Sequence, residues 1–126
     1  MKLRHLFAIN FVIAVFFGLS CALLPRWVFQ LYGVAYDDAA IWSARLVGGS
    51  ILGYATLMWF GFKAASVEAC RAIALALLVQ DGIGFIASME IQLSGGVNAF
   101  GWISSALYAF LALAYAFFFF IRKQNG

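Results

Sequence analysis

The sequence predicts an all-α membrane protein: a four-transmembrane-helix bundle with a short interfacial helix between the first and second spans. Three observations predict it. Hydrophobic residues make up 66% of the 126 residues and charged residues only 10%, against about 45–50% and about 25% in soluble domains. Four stretches, 3–24, 39–62, 67–93 and 99–121, each reach the roughly 20 apolar residues needed to cross a hydrocarbon core. The connections between them are too short for a soluble domain, so 1–126 reads as a single integral membrane domain. The same composition excludes a soluble globular protein and a disordered chain. A disulfide scaffold is excluded by a count of 2 cysteines.

Each element has its own local signals. The first stretch follows the basic start Met1-Lys2-Leu3-Arg4-His5. That start has the look of a signal sequence, but the apolar run exceeds a normal signal core, so a retained signal-anchor helix is expected. Pro25 ends it, because proline cannot continue a helix and suits the first turn of the next one. Residues 26–32 are aromatic, mildly amphipathic and too short to cross, which predicts a helix lying in the interface. Asp38, Ser66 and Asn98 are expected to cap the second, third and fourth spans. Gly95 and Gly96 supply a tight turn before the fourth.

Orientation follows from charge. With four spans, Lys2, Arg4, Lys63, Arg71, Arg122 and Lys123 share one side. Arg26 lies on the other, with Asp37, Asp38 and Glu90 near it. Basic residues favour the cytoplasmic side, so both termini are expected there. Trp27, Tyr32, Tyr36, Trp42 and Trp102 would form the outer aromatic belt, with Trp59 and residues 117–120 toward the inner one. The net charge of +3 is spread over span ends rather than gathered into a patch, so no nucleic-acid partner is expected.

Ionisable side chains inside a span are costly and point to function. Arg45 in the second span and Asp81 in the third stand out, with Gln80 beside the carboxylate. In a hairpin closing around residues 63–66, Asp81 lies about 4.5 Å along the axis from the level of Arg45. An Arg45–Asp81 ion pair is therefore expected if both face inward. Helical phase places Arg45 with Gly48, Gly49, Leu52, Thr56 and Trp59. Asp81 falls with Cys70, Ala74, Leu77, Gly84, Ser88 and Gln92. The first span offers Asn10, Ala14, Phe17 and Cys21 as an inward face. The fourth offers Gly101, Ser105, Ala109, Ala112 and Ala116, with Tyr108 adjacent.

Arg45, Gln80, Asp81, Ser88 and Gln92 thus form the candidate buried polar or ligand site. Three readings stay open: a structural pair that fixes register, a site for a proton, ion or small headgroup, or residues facing a partner subunit. Gly48, Gly49, Gly53 and Gly84 are assigned to helix packing, with Gly49 and Gly53 forming a GxxxG match. Asn10 is expected to make an interhelical hydrogen bond, Glu90 to meet water or a partner, and Tyr108 and Tyr115 to serve as core or interface aromatics.

Most catalytic chemistry lacks its residues. His5 is the only histidine, which gives no support to haem ligation. Cys21 and Cys70 fall at opposite ends of their spans, beyond disulfide reach, and no ligand set for a metal is visible. Gly82-Ile83-Gly84-Phe85-Ile86-Ala87 matches a dinucleotide fingerprint, but that motif needs a preceding strand and here sits mid-helix. Ser104 and Ser105 have no base at their depth.

Pro25-Arg26-Trp27-Val28-Phe29-Gln30-Leu31-Tyr32-Gly33, followed by Ala44-Arg45-Leu46-Val47-Gly48-Gly49, resembles the small four-helix bacterial membrane proteins of the DoxX-like neighbourhood. The resemblance implies a four-helix bundle in a bacterial inner membrane and carries no activity with it. The functional expectation is a non-catalytic accessory or structural subunit of a membrane assembly. It would pack against the bilayer, other subunits or copies of itself, and bind lipid or a quinone-like ligand. The alternative is an oligomeric small transporter or channel built on Arg45 and Asp81. A lipid-modifying enzyme ranks last.

Overall fold

The computed structural model describes residues 2–63 and 66–122, with side chains described through residue 120. It is all-α. Helix α1 spans Leu3–Leu23, α2 Pro25–Tyr32, α3 Asp38–Lys63, α4 Val67–Leu93 and α5 Gly101–Ala116, and α5 runs on into a π-helical turn, Phe117–Arg122. Leu3–Leu23, Val67–Leu93 and Gly101–Phe120 are each long and apolar enough to cross a membrane. Among the described residues α3 is not in that group, although four spans were expected. Its 26 residues give it the length, but Arg45, Lys63 and a run of glycine and serine lower its apolarity.

Local chemistry sets the boundaries. Pro25 opens α2, and Gly33 closes it at φ 69°, a left-handed conformation that glycine adopts without Cβ strain. The cap of α3 is Asp37 rather than Asp38: Ala40 N donates to Asp37 Oδ1 at 2.8 Å. Asp38 becomes the acidic residue of the first turn, where the helix dipole favours it. Ser66 caps α4 as expected, accepting from Ala69 N at 3.2 Å. Asn98 acts one turn before α5, accepting from Phe100 N at 3.0 Å. At the other end of that helix, Arg71 donates to the Phe119 carbonyl at 3.3 Å, supplying a partner to one of the terminal carbonyls.

The long helices alternate in direction as two hairpin pairs. Along α1 and α3, Phe7 meets Gly61, Phe11 meets Trp59, and Gly18 and Ala22 meet Gly48. Along α4 and α5, Arg71 meets Phe119, Gly84 meets Tyr108, and Gln92 meets Gly101. The pairs join where α1 begins, α3 ends and α4 begins, here termed the near end. There Asn10 Nδ2 donates to the Tyr115 hydroxyl at 2.9 Å. Leu3, Leu6, Phe7, Met58, Cys70, Leu77, Leu111 and Tyr115 pack around that bond as the core. Arg4 lies over the Phe62 ring, Lys63 over Trp59 and Arg71 over Phe119, at 5.0, 4.7 and 4.5 Å. The near end therefore carries a belt of cations seated on aromatic faces.

The far end is closed differently. Helix α2 lies across it and is tied to the turn before α5. Asn98 Nδ2 donates to the Leu31 carbonyl at 3.0 Å, and Asn98 N donates to the Tyr32 carbonyl at 3.0 Å. The Tyr32 and Ser104 hydroxyls share a hydrogen bond.

Candidate functional site

The core fills the near half of the bundle and leaves space in the far half. That space is a cavity of about 200 Å³ between the two hairpins. Ala14, Phe17 and Cys21 of α1 face it, as do Ile51 and Tyr54 of α3, and Leu107 and Tyr108 of α5; Val28 and Tyr32 of α2 roof it. Val47 lines it yet stays 52% exposed, so the cavity opens to the outside beside α3. Contact between α3 and α4 gathers at the near end, where the Cys70 thiol lies 3.8 Å from the Gly61 carbonyl.

Asp81 sits at the floor of this cavity, near the middle of α4. It is 4% exposed, and its Oδ2 is buried without a hydrogen-bond partner. A buried acceptor left unpaired is costly, and such groups call for an explanation. Gln80 lines the same space, as does Asn10, whose amide is committed to Tyr115.

The expected Arg45–Asp81 pair is not formed. Arg45 is exposed on the outside of α3 while Asp81 is buried. The reason is helical phase. The inward face of α3 runs through Gly48, Ile51, Ala55 and Met58, which turns Arg45 about 100° away from it. Placing Arg45 on one stripe with Gly48 and Gly49 put the centre of that stripe on the wrong side of the helix. The stripe of Asp81 fared better: Cys70, Ala74 and Leu77 are buried, and Gly84, Ser88 and Gln92 are half-buried. Ser88 nevertheless lies outside the cavity lining. Gln92 serves the turn instead, donating from Nε2 to the Asn98 carbonyl at 3.2 Å.

The packing glycines divide in the same way. A Cβ at Gly48 would lie 2.6 Å from Ala22 N and 2.7 Å from the Gly18 carbonyl, so α1 and α3 are in backbone contact there. Gly84 receives the ring of Tyr108. Gly49 and Gly53 meet nothing within 4 Å, so among the described residues the GxxxG pair packs against no other helix. The inward stripe of α1 is as expected, with Asn10, Ala14, Phe17 and Cys21 all lining the cavity. The roof formed by α2 was missed. Its signal was present in the pairing-competent hydroxyl of Tyr32, but reading it required knowing which helix end it would meet.

Among the described residues no group of three or more His, Cys, Asp or Glu side chains comes together as a metal site. The arrangement is chemically simple: among the described residues, a mostly apolar chamber with one unpaired carboxyl group, the amides of Asn10 and Gln80, and a few hydroxyls. Compared with known proteins, the chain matches no family model, no curated protein and no solved structure.

Proposed function

We propose that this chain is a non-catalytic accessory subunit of a bacterial inner-membrane assembly that holds a lipophilic ligand between its two helix hairpins. In this reading all four long helices cross the bilayer, with α3 as the second span and both termini on the cytoplasmic side. The carrying observation is the apolar cavity of about 200 Å³ that opens beside α3. A chamber of this kind, with few and localised polar groups, is what small-molecule sites look like. The four-span reading is supported by the antiparallel course of α3 along α1 and by the cations gathered at one end, as the positive-inside rule favours.

The outside of α3 supports the subunit role. Arg45, Gly49 and Gly53 are exposed together there. A guanidinium facing acyl chains is costly, and small residues admit a second helix closely. A transporter built on a pair of Arg45 with Asp81 of the same chain has lost its geometric basis.

The test is native mass spectrometry of the full chain extracted in mild detergent. A stoichiometric membrane partner and a bound lipophile are expected. The variant Ile51→Phe, which narrows the cavity, should lose the lipophile and keep the partner. A bare monomer that carries neither would overturn the proposal.

A further inference from the structure

We infer that the cavity selects a small lipophilic amine, whose ammonium group pairs with Asp81 while its apolar body fills the chamber. This rests on the reading of the cavity as a ligand site and names the ligand's chemical class.

Asp81 Oδ2 is buried and unpartnered, although donors lie nearby. The Asn10 amide turns to Tyr115, the Tyr32 hydroxyl bonds with Ser104, and Gln80, although it lines the same space, makes no hydrogen bond to this oxygen. Arg45 faces away from the site. Among the described residues no lysine, arginine or histidine lines the cavity, so none of them offsets a carboxylate there. An anionic guest finds no counter-charge here, whereas an ammonium group gives the carboxylate the partner it lacks through a charge-assisted hydrogen bond.

The walls narrow the class further. An inorganic cation is held by several oxygen ligands, most of them carboxylates and carbonyls, whereas among the described residues the chamber offers one carboxylate in walls that are mostly aliphatic and aromatic, and the Tyr32 and Ser104 hydroxyls bond to each other. The rings of Phe17, Tyr32, Tyr54 and Tyr108 line it, and aromatic faces attract organic ammonium groups. Size sets the body of the guest. An apolar cavity of about 150 Å³ accepts benzene, so about 200 Å³ accommodates one ring with a short aminoalkyl arm. The opening beside Val47 provides entry from the surrounding lipid.

Benzylammonium and benzyl alcohol, nearly equal in shape, separate the charge from the body. Binding to the full-length protein in mild detergent at neutral pH is read by the shift in thermal unfolding across a concentration series. Benzylammonium is expected to bind at least about tenfold more tightly, a difference of ~1.4 kcal/mol. Asp81→Asn should abolish that preference while keeping the affinity for benzyl alcohol. Equal or tighter binding of benzyl alcohol by the unaltered protein would overturn the amine assignment and leave the cavity reading standing. Binding of neither probe would overturn both. Should Asp81→Asn fail to fold, the preference measured in the unaltered protein decides the matter alone.

Discussion

A Cβ at Gly48 would lie 2.6 Å from the Ala22 nitrogen, while one at its neighbour Gly49 would meet nothing within 4 Å. One residue along a helix is about 100° of rotation, enough to move from a backbone contact to the outside of the bundle. Gly48→Ala must therefore force α1 and α3 apart. A loss of about 1–3 kcal/mol is expected, as for other overpacked interiors. Gly49→Ala should leave the isolated chain unharmed or slightly more stable, since alanine is the better helix former by about 1 kcal/mol. Unfolding midpoints of the two variants in the same detergent check this. Equal losses would mean that Gly49 packs in the isolated chain after all.

Helix α2 is the short element that lies across the far end of the bundle. Its eight residues bury only Pro25 fully, and much of its anchoring comes from Asn98, which meets both the Leu31 and Tyr32 carbonyls. Asn98→Ala removes the side-chain hydrogen bond to Leu31, worth about 1 kcal/mol to the roof, along with the one that Phe100 N donates to it at the start of α5. Amide exchange across residues 25–33 should quicken severalfold, approaching tenfold, while α4 keeps its protection. Unchanged exchange would show that the Tyr32–Ser104 bond and the backbone bond from residue 98 to Tyr32 suffice to hold the roof. The tie matters for function because α2 covers the cavity, so the same variant is expected to speed both entry and exit of a bound probe.

At the scale of the whole molecule, the bundle is divided into a packed half and a hollow half. The near end buries Phe7, Leu77, Tyr115 and their neighbours, and the far end leaves the cavity with Asp81 between the two. A fold optimised for stability alone would fill that position with an apolar side chain. Asp81→Leu should accordingly stabilise the ligand-free protein by about 1–3 kcal/mol, the cost of an unpaired buried polar group, while removing any preference for amines. A clear loss of stability in unfolding measurements would show that the carboxyl group already has a structural role.

Composition and period-3.6 patterning determined the helical class, the helix ends near Pro25, Ser66 and Gly95, and the inward stripes of α1 and α4. These are local or one-dimensional properties: apolar length, cap chemistry and the angle between residues on one helix. The pairing of Arg45 with Asp81 was not of that kind. It depended on how far α3 is rotated about its own axis, and that rotation is set by the close approach of Gly48 to Gly18 and Ala22. Only the tertiary structure decided it, and with it the unpaired state of Asp81, the outward GxxxG face and the cavity roofed by α2. Each of these arises from which surfaces of separate helices meet, a relation that no single stretch of sequence contains.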